Sequence, residues 1–392
     1  MRLSLVCSLV LAAALPLYPQ SPAPAPSRPG GYYRMKKVSV VDEHGFERPM
    51  RALSLLVPSE WQFQGNVRYE PSTGCHADMV QVSFRTTSPD NGLAIEMFPG
   101  VHWQWSDDPS AVRAMQAASQ QAMRFGRREC EVMPPMTPEG FLRRWLIPRV
   151  RPDAKVLAIE SMPDAAQKVR EKAEQQQEMA VRAGMRMNIR AEIARARIAY
   201  SLAGRATEEW ITAVTFSAAT PGPSFNMATG QMGQTQYYNC GGYLIFAMRA
   251  PSGQLQAREK LFTLVLSTVA VEPEWQGRVT QVLLNMQAAD SKGARDRSAI
   301  IAQSGREISG IIKQTYENRQ KAQDASAAAF SQYIRGVETY RNPQTGESVE
   351  LSNQYGRAWV NNSNEYILSD SPGFDPNVAL KGNWTSLERA KP

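Results

Sequence analysis

The sequence predicts an α+β fold, in which an antiparallel sheet is flanked by helices and is followed by a long helical arm and a small C-terminal β-meander. Many short segments alternate apolar and polar residues between turn residues, which is the period of half-buried strands. Two segments change to the helical period, and blocks of strands followed by helices are typical of α+β domains. Residues 277–335 are polar, rich in Ala and free of Pro, which predicts the arm.

The elements follow in chain order from residue 32. The turn "DEHG" predicts a hairpin, and "SPDNG" predicts another. Asp108 before Pro109 has the pattern of a helix N-cap, and Gly126 ends that helix. The predicted elements are a hairpin at 35–58, a hairpin at 79–100, helices at 108–126 and 161–184, two long strands at 185–220 joined by "LAGRA", and an apolar helix at 255–275.

The composition is that of a globular chain with a mild basic excess. The 392 residues are 43% hydrophobic and 21% charged, which excludes wholesale disorder, and the length suffices for two domains. The net charge of +7 is spread along the chain. The most basic apolar segment, "FLRRWLIPRVRP" at 141–152, is interpreted as an edge strand with solvated arginines rather than a phosphate-binding surface. We therefore expect no nucleic-acid partner.

Residues 1–14 have the pattern of a secretory signal peptide. Arg2 precedes an apolar run that is too short to span a bilayer and ends in small side chains at Ala14. The proline-rich residues 15–31 predict an extended linker. No later apolar stretch approaches membrane-spanning length, so we expect a periplasmic or secreted protein without a transmembrane segment in the mature chain.

Three cysteines remain after the leader: Cys75, Cys130 and Cys240. An odd number in an oxidising compartment predicts one disulfide and one buried thiol, with the pairing open.

A resemblance to a known family rests on two short signatures. "LLVPSEW" at 55–61 and "LFTLVLSTV" at 261–269, ahead of Trp275, resemble the first and last marks of PsbP-like α/β/α sandwich proteins. The resemblance assigns residues 32–276 to one such domain. It implies a binding or assembly module, often at a membrane surface, in a family for which catalysis is not the rule.

The remaining chain is divided into a helical arm, 277–332, and a β-meander module, 333–392. An isoleucine stripe in the arm predicts packing on the parent domain, with a homo-oligomer through helix 291–334 as the alternative. The module resembles a C-terminal segment that recurs in uncharacterised exported bacterial proteins, which implies no particular chemistry.

The stretch "GCHADMV" at 74–80 carries the first candidate site. Cys75 and His76 are neighbours on a strand, so their side chains point to opposite faces, but Cys75 with His102 is an alternative pair for a hydrolase. His76 and Asp78 share one face and are ligand-binding candidates. We predict no metal site, because short His and Cys ligand spacings are missing from the sequence.

The stretch "HWQW" at 102–105 carries the second candidate site. Trp103 and Trp105 are two apart on a strand and share a face, which suits a stacking platform for a sugar, a peptide or a partner side chain. Burial in the core is the alternative. The predicted function is that of an exported bacterial envelope protein acting as a non-catalytic binding or assembly module for an unknown protein or cell-envelope component, without a cofactor. A periplasmic or secreted Cys-His hydrolase and a helix-mediated scaffold are the alternatives.

Overall fold

The computed structural model describes residues 32–70, 73–182, 184–226, 231–289, 336–380 and 382–390. Strands make up 46% and helices 27% of the structure. The predicted α+β fold class, with helices flanking the sheet and a long helical arm, is therefore wrong: the chain forms mostly antiparallel β-sheets with few helices. The signal peptide at 1–14, the linker at 15–31 and the segment 291–334 lie outside the described residues.

The described strands form three sheets, called A, B and C. Their bounds are β1 Tyr32–Asp42, β2 Met50–Pro58, β3 Gln62–Tyr69, β4 Val80–Thr87, β5 Ala94–Phe98, β6 Val101–Ser106, β7 Glu131–Val132, β8 Lys155–Ser161, β9 Asn188–Leu202, β10 Arg205–Asn226, β11 Gln231–Pro251, β12 Ala270–Val271, β13 Val337–Arg341, β14 Ser348–Ser352, β15 Arg357–Asn361, β16 Glu365–Ser369, β17 Trp384–Ser386 and β18 Glu388–Arg389. The helices are α1 Pro109–Arg124, α2 Pro138–Gly140, α3 Ile147–Val150, α4 Pro163–Arg182, α5 Glu259–Ser267, α6 Pro273–Ala289 and α7 Pro376–Ala379, with a π-helix at Phe141–Leu146.

Sheet A joins the two ends of the described chain. Its strand order is β12-β2-β1-β16-β15-β17, so β1 lies between its sequence neighbour β2 and the C-terminal strand β16. In this antiparallel pairing Tyr32 lies opposite Ser369, and Lys36 lies opposite Glu365. The C-terminal strands thus complete a sheet with the N-terminal strand, which is the physical reason that the predicted helix-flanked architecture fails: a second sheet covers the face where helices were expected.

Sheet B is built around a long hairpin. Its main order is β3-β4-β5-β11-β10-β9-β8, and β6 pairs with β11 beside β5. The hairpin of β9 and β10 confirms the two long strands predicted around "LAGRA". Sheet C is small and has the order β14-β13-β18.

The main core lies between sheets A and B. It combines residues of both sheets with α5 and α6, for example Leu55, Phe84, Phe262 and Trp275. Along β10 the side chains alternate, so Trp210 enters this core while Ile211 enters a second cluster on the opposite face of sheet B. Burial of apolar area at about 25 cal/mol per Å² stabilises both layers.

Helices α1 and α4 confirm the two helices predicted inside this region. Helix α1 begins after Asp108, whose carboxylate accepts a hydrogen bond from the backbone N–H of Ser110 at 2.8 Å. This is an N-cap, and Pro109 at the first helical position adds no unsatisfied donor. Helix α4 packs Ala165, Val169 and Ala173 on sheet B.

The basic segment at 141–152 is helical, so the predicted edge strand is wrong. The π-helix Phe141–Leu146 continues into α3 and buries Phe141, Leu142, Trp145 and Leu146, while Arg143 and Arg144 are exposed. This spacing of buried positions follows the helical period and not strand alternation. Arg143, Arg144 and Arg149 extend into solvent as predicted, but from a helix, whereas Arg151 is largely buried beside Glu209.

Asp42 connects three elements at the end of the core. Its carboxylate accepts hydrogen bonds from the hydroxyl of Tyr69 at 2.6 Å, the indole N–H of Trp275 at 2.7 Å and the backbone N–H of Gly45 at 2.8 Å. Asp42 is only 2% exposed, so these donors replace the water that a carboxylate requires. Burial and the hydrogen bond to Asp42 raise the pKa of Tyr69 above its ordinary value, which keeps its hydroxyl a donor.

We expect Asp42→Ala to lower the free energy of unfolding by about 2–4 kcal/mol, because two buried donors lose their acceptor. Urea denaturation of the variant measures this change. Asp153→Ala removes an exposed turn carboxylate and serves as the matched control. Equal unfolding midpoints for the two variants would contradict the role assigned to Asp42.

Candidate functional site

A partly open apolar cavity lies between sheets A and B. Its empty volume is about 870 Å³, part of which is continuous with solvent. Sheet A and α6 contribute Leu53, Val271 and Trp275, and sheet B contributes Val82, Met97 and Phe246. Concave sites with mostly apolar walls are typical of small-molecule sites.

A β-bulge in β11 shapes one wall of this cavity. The pairing of β10 with β11 shifts register between Thr212 and Val214, and Leu244 has a φ of +50°. Neighbours in a regular strand point to opposite faces, yet Tyr243 and Leu244 both line the cavity. A positive φ is rare and costly for leucine, and bulges commonly redirect side chains at functional sites.

The bulge lies where β11 changes its neighbour. Residues 237–242 of β11 pair with β6, and residues 245–249 pair with β5. Two short strands thus share one edge of a long one, and the gap between them coincides with the redirected residues. The cavity is therefore a product of sheet topology and not of a surface loop.

His102 is a polar residue of the cavity wall, and Asp78 is bonded to it. His102 lines the cavity from β6, and its Nδ1 lies 2.7 Å from Oδ1 of Asp78. The two side chains are only 12% and 11% exposed. A carboxylate that binds one ring nitrogen fixes both the orientation of the imidazole and the position of its proton.

A disulfide anchors the turn that carries Asp78. Cys75 is bonded to Cys130, and Asp78 lies in a 3₁₀ turn, His76–Asp78, directly after Cys75. The hydroxyl of Thr73 also donates to the carbonyl of Arg128 at 2.9 Å. The strand entrance is thus clamped to the segment after α1, which holds Asp78 against His102.

The two tryptophans of the second candidate stretch do not line the cavity. Strand alternation places His102 on one face of β6 and Trp103 with Trp105 on the other. Trp103 is 1% exposed, and its ring is stacked on Phe141 with ring centroids 5.7 Å apart. Trp105 is half-buried in β6 opposite Tyr238. Trp103 therefore has no exposed face for a ligand.

The remaining candidates lie apart from the cavity wall. His76 is half-buried in the same turn as Asp78 but does not line the cavity. Cys240 is buried in β11 and lies outside the disulfide. Among the residues that the structure describes, no group of three or more His, Cys, Asp or Glu side chains is placed to hold a metal ion.

Two adjacent glycines allow rings to pack on both faces of β11. A Cβ on Gly241 would lie 2.9 Å from Cδ2 of His102 and would overlap Phe216, and one on Gly242 would lie 2.5 Å from the Phe141 ring. The sequence "CGGY" was the one available signal for this close approach. The apolar lining carried no signal, because it has the same pattern as ordinary core.

A buried charge cluster lies on the other face of sheet B. The Arg151 guanidinium lies 2.8 Å from a carboxylate oxygen of Glu209 and 2.8 Å from one of Glu96. Burial lowers the pKa of Arg151, but the hydrogen bonds and charges of Glu209 and Glu96 outweigh it and raise the pKa above its ordinary value. The cluster ties the helical segment to the sheet, and both carboxylates are engaged by it.

A second cleft is larger but more polar. It has an empty volume of about 1280 Å³ and is lined by Arg34, Asp90 and Arg258, among others. Arg34 is paired with Glu365 at 2.6 Å, and Asp90 accepts from the hydroxyl of Ser88 at 2.5 Å. Arg34 and Asp90 thus already have partners inside the protein, whereas the buried Nε of Arg258 has no hydrogen-bond partner among the described residues. We take the apolar cavity as the candidate site because mostly apolar walls are the usual lining of small-molecule sites.

Comparison of the chain with models of protein families, with curated proteins and with solved structures gave no match. The resemblance to PsbP-like proteins therefore stays a prediction. None of the helices in the described ranges combines the length and the apolarity needed to cross a membrane.

We expect the double variant Cys75→Ser with Cys130→Ser to lower the free energy of unfolding by about 3–4 kcal/mol. The disulfide closes a loop of 55 residues, and opening it restores chain entropy to the unfolded state. Urea denaturation of the variant and the native protein measures the difference. Native protein under reducing conditions is the control and is expected to match the variant; a reduced protein as stable as the oxidised one would refute the clamp.

Proposed function

We propose that the protein is an exported, non-catalytic binding module whose apolar cavity takes up the apolar body of a small molecule. The observation that carries the proposal is the cavity between sheets A and B, which has mostly apolar walls and His102 in its lining, with Asp78 bonded to His102. Ligand sites commonly combine mostly apolar walls with a few polar groups that set orientation.

The composition of the cavity wall favours binding over catalysis. Within the described ranges, the lining contains no Ser, Thr or Cys that His102 could activate as a nucleophile. In the alternative hydrolase Cys75 must provide a thiolate, but a cysteine bonded in a disulfide has none. Asp78 therefore orients His102, but no described residue of the lining can supply the nucleophile that acyl transfer needs.

Two features support export to the bacterial envelope. The first 14 residues have the pattern of a signal peptide, and the Cys75–Cys130 disulfide is of a kind that persists in oxidising compartments. Both features support the proposed periplasmic or secreted location. An unidentified protein or envelope component as partner, and assembly through residues 291–334, remain predictions that lie outside the described residues.

We expect the neutral apolar fluorophore N-phenyl-1-naphthylamine to bind the native protein saturably, and Val271→Phe to weaken this binding about tenfold. Val271 lines the cavity, so a phenyl ring there occupies part of its volume. Fluorescence titration measures both affinities, and near-ultraviolet circular dichroism establishes that the variant is folded.

The matched control is Val378→Phe, which adds the same ring at a site that is 78% exposed. It is expected to bind the fluorophore like the native protein. Equal affinities of the native protein and both variants, or a native protein without saturable binding, would overturn the cavity as the ligand site.

A further inference from the structure

His102 presents one ring nitrogen to a ligand. Its Nδ1 is bonded to Asp78, and its ring also packs edge-on against Phe216, with centroids 5.8 Å apart. The other nitrogen, Nε2, has no hydrogen-bond partner among the residues that the structure describes. Because His102 lines the cavity, Nε2 is the ring atom left for a ligand.

Asp78 decides which hydrogen-bonding role Nε2 has. An ionised carboxylate only accepts hydrogen bonds, so Nδ1 must carry the proton that it shares with Asp78. In a neutral imidazole with its proton on Nδ1, Nε2 is an acceptor. The cavity therefore offers a ligand an acceptor at this end.

Tyr243 adds a second polar atom to the lining. Its hydroxyl has no hydrogen-bond partner within the described ranges, although the ring packs at a tilt of 60° against Phe216, with 5.7 Å between the centroids. Burial raises the pKa of Tyr243 above its ordinary value, so the hydroxyl stays protonated and can donate. An acceptor and a donor together match a hydroxyl group, which both donates and accepts.

The lining disfavours an anionic headgroup. None of the described residues that line the cavity is a Lys or an Arg, so a carboxylate would enter an apolar site without a cation from this part of the chain. It would also face the lone pair of Nε2, and an unpaired charge in such surroundings is costly. A neutral alcohol avoids both penalties.

We infer that the cavity selects an apolar chain with a neutral hydroxyl headgroup, whose O–H donates to Nε2 of His102 while Asp78 sets the tautomer. This inference rests on the proposed function and names the ligand class of the same site. His102 touches the ligand, and Asp78 is a positioning residue that acts through it.

The test compares two probes of equal chain length, 1-octanol and octanoate, as competitors of N-phenyl-1-naphthylamine at pH 8. We expect octanol to displace the fluorophore from the native protein at a concentration about tenfold lower than octanoate. His102→Leu removes the acceptor and is expected to raise the octanol concentration needed for displacement about tenfold while the fluorophore still binds. His44→Leu, at an exposed histidine, is the matched control and is expected to leave displacement by octanol unchanged.

The variant Asp78→Asn distinguishes a positioning role of Asp78 from a purely structural one. An asparagine amide can donate to Nδ1, which transfers the imidazole proton to Nε2 and makes that nitrogen a donor. The preference for octanol over octanoate is then expected to narrow or reverse, and near-ultraviolet circular dichroism checks the fold of each variant.

The outcomes separate the two proposals. Saturable fluorophore binding with equal displacement by octanol and octanoate overturns the selectivity of His102 and leaves the apolar site standing. Displacement by octanol that is equally effective in the native protein and in His102→Leu also overturns it. Failure of the native protein to bind the fluorophore overturns the binding function itself.

Discussion

The structure depends on the way in which β11 shares its edge. One edge pairs with β10 along nearly the whole hairpin, while the other pairs first with β6 and then with β5. Two strands with separate registers cannot continue one another without a break, and the bulge at Leu244 lies at that break. The break turns Tyr243 and Leu244 to the same face and opens the wall of the cavity.

Sheet A closes the other side of the cavity and draws on distant parts of the chain. Strand β1 pairs with β2 and with β16, so residues near both ends of the described chain cover the apolar face of sheet B. Asp42 fastens this cover, because its buried carboxylate accepts hydrogen bonds from elements on either side, Tyr69 and Trp275. Trp275 is at once part of this network and of the cavity wall.

The chemistry of the site follows from which groups are held by bonds within the protein and which group is available to a ligand. The Cys75–Cys130 disulfide holds the turn with Asp78, Asp78 holds one nitrogen of His102, and the other nitrogen is left for a ligand. Each of these bonds fixes the position of a side chain. The described residues that line the cavity include no Ser, Thr, Cys, Lys or Arg. Such an arrangement suits recognition of a neutral polar head on an apolar body.

The sequence by itself determined the local elements: helix α1 from its N-cap and period, helix α4, and the hairpin of β9 and β10. These depend on neighbours a few residues apart. It also marked His102 and Asp78, but as parts of two separate stretches.

Only the tertiary structure decided the sheet partners, the helical state of 141–150 and the cavity. Arg34 of β1 reaches Glu365 of β16 across 331 residues, and no local pattern encodes that pairing. Alternation of apolar residues indicates which face of a strand is buried, but it does not indicate which element packs on that face. The cavity exists because sheet A packs on sheet B.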